Sequence, residues 1–260
     1  MPETIRIDSD SCGVATLWLA RPDKHNALSA QMIAELTQAA ATLGADPAIR
    51  AVILAAEGKS FCAGGDLGWM QDQMAADAAT RRQGATELAL MLNALNELPK
   101  PLIGRVHGNA FGGGIGMMSV CDVAVGARTA KFGLTETKLG LIPATIGPYV
   151  LARMGEDKAR RVFMSARIFD ATEAQALNLL AHSVDPEDLD AAVEDEVAPY
   201  LQTAPKAVAA AKRLTRALGP RIDREVIDMS VDALISVWEA DEAPHGIGAF
   251  FAREKPRWQG

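Results

Sequence analysis

The chain has 260 residues, 49% of them hydrophobic and 23% charged, which is enough length for a sizeable core and the balance of an ordinary soluble globular protein. The formal net charge of -7 opposes a basic, phosphate-seeking surface and so speaks against nucleic-acid binding, while a small phosphorylated ligand needs only a few local cations. Cys12, Cys62 and Cys121 are widely spaced with no CxxC pair, which excludes a disulfide framework or a cysteine zinc site and fits a reducing, cytoplasmic setting.

The first ten residues show no basic region followed by an apolar one, so no secretory leader is expected, and no uncharged stretch is long enough to span a bilayer. In chain order, strands are expected at 4–8 and 14–20, then a turn at 21–26. Ser29 is placed to cap a helix reaching residue 43. The apolar run at 51–56 reads as a buried strand ending in the Glu57-Gly58-Lys59 turn. An alanine-rich helix is expected over 75–98, stopped by Pro99-Lys100-Pro101. A strand at 102–107, a glycine-rich turn, a short helix and a strand at 122–126 follow.

Beyond residue 157 the pattern turns helical, with helices expected at 157–165, 171–177, 186–202, 205–218, 222–238 and 241–254. This predicts an α/β core over 1–204 and a helical C-terminal region over 205–260, with Pro205 at the boundary. No fixed-period repeat is present.

The most unusual segment is Val106-His107-Gly108-Asn109-Ala110-Phe111-Gly112-Gly113-Gly114-Ile115-Gly116, a strand running through glycines into a helix. Such a turn presents free amides and the positive end of a helix dipole. No frame completes GxGxxG, and no GK[ST] follows, so dinucleotide and P-loop readings fail. An oxyanion hole and plain tight helix–strand packing both remain open. A second turn, Ser60-Phe61-Cys62-Ala63-Gly64-Gly65-Asp66-Leu67, repeats the order strand, small residues, helix start, with Asp66 placed to cap. HExxH and GxSxG are absent, so neither metal nor serine-nucleophile chemistry is expected.

These two turns, together with Cys121-Asp122-Val123-Ala124 and the segment Lys131-Phe132-Gly133-Leu134-Thr135-Glu136-Thr137-Lys138-Leu139-Gly140-Leu141-Ile142-Pro143, resemble the enoyl-CoA hydratase/isomerase (crotonase) family across nearly the whole chain. The resemblance implies a crotonase-like spiral of ββα units with C-terminal helices that build a homotrimer or hexamer. It implies an acyl-CoA substrate, with coenzyme A entering only as part of that substrate and no separate cofactor. The thioester oxygen would sit between the amides of Ala63 and Gly113, and Glu136 would be the catalytic carboxylate. The CoA path would follow Lys24, His25 and Ala27, then Ala63, Gly64, Gly65, Asp66 and Leu67, with Gly112 and Gly113 beside the thioester and Lys255 at a phosphate.

Hydratases with two glutamates carry the first at the position of Gly116, so here only Glu136 remains. The surroundings of Glu136 resemble the 3-methylglutaconyl-CoA and isohexenylglutaconyl-CoA hydratase branch. Hydration of a branched 2-enoyl-CoA is therefore expected, with a 3,2-enoyl-CoA isomerase as the alternative and an RNA-binding homologue as a third reading that the acidic charge opposes. Gly116 is expected to leave room for a distal substrate carboxylate, with Lys138, Arg105 or Lys131 to meet it. Trp69 is a candidate for the acyl pocket, His25 and His107 lie near the CoA path, and Met70, Met74, Met117 and Met118 read as packing residues.

Overall fold

The run Ala51-Val52-Ile53-Leu54-Ala55-Ala56 carries no polar side chain, the pattern of a strand covered on both faces. In the computed structural model, which describes residues 2–260, it lies inside a six-stranded sheet. The strands and helices, in chain order, are β1 (Ile5–Ser9), β2 (Val14–Leu19), α1 (Ala30–Ala45), β3 (Ala51–Ala56), β4 (Ser60–Cys62), α2 (Leu67–Ala75), α3 (Ala78–Asn96), β5 (Leu102–Val106), β6 (Asn109–Phe111), α4 (Gly113–Val120), β7 (Val123–Ala127) and β8 (Lys131–Gly133). A 3-10 turn at Glu136–Leu139 follows, then α5 (Gly147–Met154), α6 (Glu156–Phe163), β9 (Phe169–Asp170), α7 (Ala171–Ala176), β10 (His182–Val184), α8 (Leu189–Leu201), α9 (Pro205–Leu218), α10 (Arg224–Trp238) and α11 (Glu242–Ala252).

The large sheet has the order β1-β2-β3-β5-β7-β10, parallel except for the β1–β2 pair. The second sheet runs β4-β6-β8-β9, with only β8–β9 antiparallel. Each of the pairs β3–β4, β5–β6 and β7–β8 gives one strand to each sheet before the chain passes into a helical segment. That is the expected ββα spiral. Its turns differ in length because α2 and α3 fill one connection and the eight-residue α4 fills the next, so no sequence period exists to be found.

Two expectations need correction. The helix expected over 75–98 begins at Ala78, and a separate helix, α2, precedes it. Asp77 causes the break: its carboxylate accepts from the Thr80 amide at 2.8 Å, a capping bond that a mid-helix aspartate cannot make. Arg81 closes the gap by donating to the Gln73 and Ala76 carbonyls at 2.9 and 2.6 Å. Similarly, the helix expected at 186–202 opens with a 3-10 turn, Pro186–Asp188, before α8.

The C-terminal helices return to the core. α10 packs Ile227, Val231 and Ile235 against Ala85 and Ala89 of α3. α11 presses on the 3-10 turn so closely that a Cβ on Gly246 would meet the Leu139 carbonyl at 2.5 Å. These contacts close one side of the cavity described next.

Candidate active site

Two turns are stitched into one wall. His25 and Asn26 both take left-handed backbone, φ 50 and 54, which asparagine tolerates well. The buried Asn26 amide donates to the Glu57 and Ser60 carbonyls at 2.8 and 2.9 Å. The Ala63 amide donates to the His25 carbonyl at 3.0 Å, Leu28 to Gly64 at 2.8 Å, and Asp66 to Leu28 at 3.0 Å. Asp66 caps α2 through the Gly68 and Trp69 amides at 2.9 and 3.2 Å and pairs with Arg21 at 3.0 Å. Burial works against its charge, but hydrogen bonds from the Trp69 amide and Arg21 hold its carboxyl below the ordinary aspartate value.

This bonding corrects the expected oxyanion donor. The Ala63 amide is already committed to His25. The Gly65 and Gly113 amides have no acceptor among the described residues, and both residues line a cavity of about 290 Å³. Successive amides of an extended segment point to opposite sides. Asp66 turns its amide toward Leu28, so that of Gly65 faces away from that segment. Gly113 opens α4, where the first amides lack partners within the helix.

Glu136 enters from the 3-10 turn. Gly112, at φ 48, lets it approach: a Cβ there would lie 2.9 Å from Glu136 Oε1. The residue keeps part of its surface exposed, yet Oε2 is shut off from solvent and has no hydrogen-bond partner. Burial pushes its carboxyl up to about 7, opposed only by a bond to its own backbone. Among the described residues, Glu136 is the only carboxylate on the cavity lining and Lys138 the only cation.

Of the expected residues, Ala63, Gly64, Gly65, Leu67, Gly112, Gly113 and Glu136 are brought together on this lining, with Trp69 and Met70. Lys24 and His25 are exposed beside the wall, Ala27 is buried behind it, and Lys255 is exposed beyond α11. None of the four lines the cavity, and Asp66 works as a cap. Arg105 is held by Asp190 at 2.5 Å, Lys131 is exposed on β8, and His107 meets the Gly58 carbonyl at 2.9 Å, all away from the lining. Met117 and Met118 are fully buried core.

The room expected beside Gly116 does not exist. A Cβ there would meet Ile146 Cγ2 at 2.5 Å, so an isoleucine already fills the space. Sequence reasoning also missed Leu28, Ile146, Leu234, Trp238 and Phe250, which reach the lining from distant parts of the chain. Only tertiary packing assembles them. No cluster of His, Cys, Asp and Glu able to hold a metal occurs among the described residues, and no helix among them is long and apolar enough to cross a membrane.

The family model described as enoyl-CoA hydratase/isomerase matches residues 9–260. The crystal structure of an enoyl-CoA hydratase from Shewanella pealeana superposes with a TM-score of 0.81 at 36% identity, covering 99% of this chain and 96% of that one. One from Mycobacterium avium gives a TM-score of 0.88 at 30% identity over 100% of both chains. The mitochondrial methylglutaconyl-CoA hydratase of Mus musculus is 29% identical over 262 residues, 98% of this chain and 82% of that protein.

Proposed function

This chain belongs to the enoyl-CoA hydratase/isomerase family, and from that premise we propose that it hydrates a branched 2-enoyl-CoA, 3-methylglutaconyl-CoA first among them, with Glu136 as its single acid–base. The observation that carries this reading is Glu136 itself, the lone carboxylate on an otherwise largely apolar lining, with one oxygen unpartnered.

The chemistry follows from the thioester. Its carbonyl oxygen accepts from the free amides of Gly65 and Gly113, which favour the negative charge that builds there as water attacks C3. Glu136 takes the proton from that water and delivers a proton to C2, so the net change is H and OH added across one double bond. A substrate with a distal carboxylate finds one cation available, Lys138. The exposed Lys24 and Lys255 are in reach of solvent and offer charge to CoA phosphates. The mouse relative's name points to the same acyl group. Self-association as a trimer or hexamer is supported by Leu214 and Leu218 on α9 and Met229 on α10, all exposed apolar side chains.

One observation favours a second reading: a single carboxylate also suffices to move a proton between C2 and C4, which is double-bond migration. Product analysis separates the two. The enzyme is incubated with 3-methylglutaconyl-CoA in D₂O and the thioesters are resolved by mass. Hydration gives a 3-hydroxyacyl-CoA carrying deuterium at C2. A shifted double bond with no hydroxylated product would refute the hydratase assignment in favour of the isomerase.

A further inference from the structure

Gly112 and Gly116 stand one turn apart at the start of α4, the Gly116 amide donating to the Gly112 carbonyl at 3.2 Å. Gly112 is the non-helical cap of α4, at φ 48, and Gly116 lies in its first full turn. Glu136 covers the first glycine, and Ile146 covers the second, with Cγ2 2.5 Å and Cβ 3.0 Å from where a Gly116 Cβ would be. The near contact is the branch of a β-branched side chain, which has few rotamers with which to move aside. Ile146 is 2% exposed, stands at the start of α5 and lines the same cavity as Glu136. The two glycines are thus covered by different side chains of one lining, Gly112 by the Glu136 carboxylate and Gly116 by Ile146.

We propose that Ile146 is a positioning residue for the reaction: its methyl fills the notch over Gly116, bars any side chain or water from that flank of Glu136, and confines proton transfer to the one carboxylate. The surrounding charges leave this task to packing. α4 has no ionisable side chain. The cation of α5, Arg153, is engaged at the far end of the helix with the Asp122 and Ser119 carbonyls. On α11, Glu242 and His245 are exposed and off the lining, and among the described residues Lys138 is the only other ionisable group on it. With no ion pair to hold Glu136, dryness is what tunes it.

The first test needs no substrate. Gly116→Ala alone forces a methyl against Ile146 and should lower Tm by roughly 5 °C, the scale of core overpacking. Ile146→Ala alone should also lower Tm, through the cavity it leaves. Combined, the two should cost clearly less than their sum, because the methyl added at position 116 occupies the space that Ile146 vacates. Simple additivity would overturn the interlock. The second test rests on the hydration reading. In Ile146→Ala the acid limb of kcat/KM should move from about 7 toward 4.5, as water reaches the carboxylate. A limb left in place would show that Ile146 only fills space. If wild type forms no hydrated product, the functional reading fails while the thermal cycle still decides the interlock.

Discussion

Glu136 owes its raised carboxyl value to where it is kept. A carboxyl with an ordinary value near 4.5 is fully ionised at neutral pH and a weak base, whereas one lifted to about 7 by burial sits where proton transfer is most effective. Rising pH ionises it, so kcat/KM should climb through about pH 7, which a pH–rate profile checks. The same shift has a stability consequence of definite sign. Because the folded value lies above the unfolded one, the contribution is complete below 4.5 and is lost as pH rises through about 7. The loss amounts to about 3 kcal/mol at alkaline pH, which Glu136→Gln escapes. Melting curves should therefore show the variant gaining on wild type by on the order of 5–10 °C between about pH 5 and about pH 9; parallel pH dependence of the two Tm values would show that the buried charge carries no such cost. The place of Glu136 on the cavity lining was legible because its flanking residues carry the family pattern. The donor beside it was not: whether Ala63 or Gly65 offers a free amide depends on which of them His25 and Leu28 engage, and that is a matter of pairing across distant segments.

At the scale of elements, the cavity wall is set by how α2 starts. Asp66 supplies two capping bonds and an ion pair to Arg21, so it fixes both the helix and its angle to the 25–28 segment. Asp66→Ala should cost about 2 kcal/mol, typical of a strong cap, and raise KM more than it lowers kcat, because Leu67, Trp69 and Met70 lose their anchor. Chemical denaturation and steady-state kinetics measure the two effects; a variant of full stability and unchanged KM would show the cap to be dispensable. The long elements were readable from apolar runs, and α9 matches its expected limits, Pro205–Leu218. The three-residue strands β4, β6 and β8 were not, since each is too short to show alternation and exists only by pairing with the others. The α2–α3 break turned on Asp77, whose preference for a cap outweighed the surrounding helix-forming alanines.

Across the whole molecule, the spiral brings the two glycine turns together and the C-terminal helices seal the side they leave open. Leu234 and Trp238 from α10 and Phe250 from α11 complete a cavity whose glycine-turn residues, Gly65 and Gly113, lie more than a hundred positions earlier. Binding in such a closed site should stabilise the fold: saturating acetoacetyl-CoA at about a hundred times its Kd corresponds to about 2.7 kcal/mol, visible as a rise in Tm. No shift with any acyl-CoA would contradict the site. The spiral itself was foreseeable through family resemblance rather than through a repeat, because unequal helical insertions remove any period. The packing of Ile146 against Gly116 belongs to this scale, and nothing local announced it.

The central claim is that one carboxylate carries the reaction, and the turnover of Glu136→Gln on 3-methylglutaconyl-CoA tests it most directly. The substitution keeps the side-chain volume and leaves the Gly65 and Gly113 amides in place. Acyl-CoA binding should persist while kcat falls on the order of 10²–10⁴-fold, the usual contribution of general acid–base catalysis. A variant that binds the thioester and forms 3-hydroxyacyl-CoA within a few-fold of the wild-type rate would contradict the account.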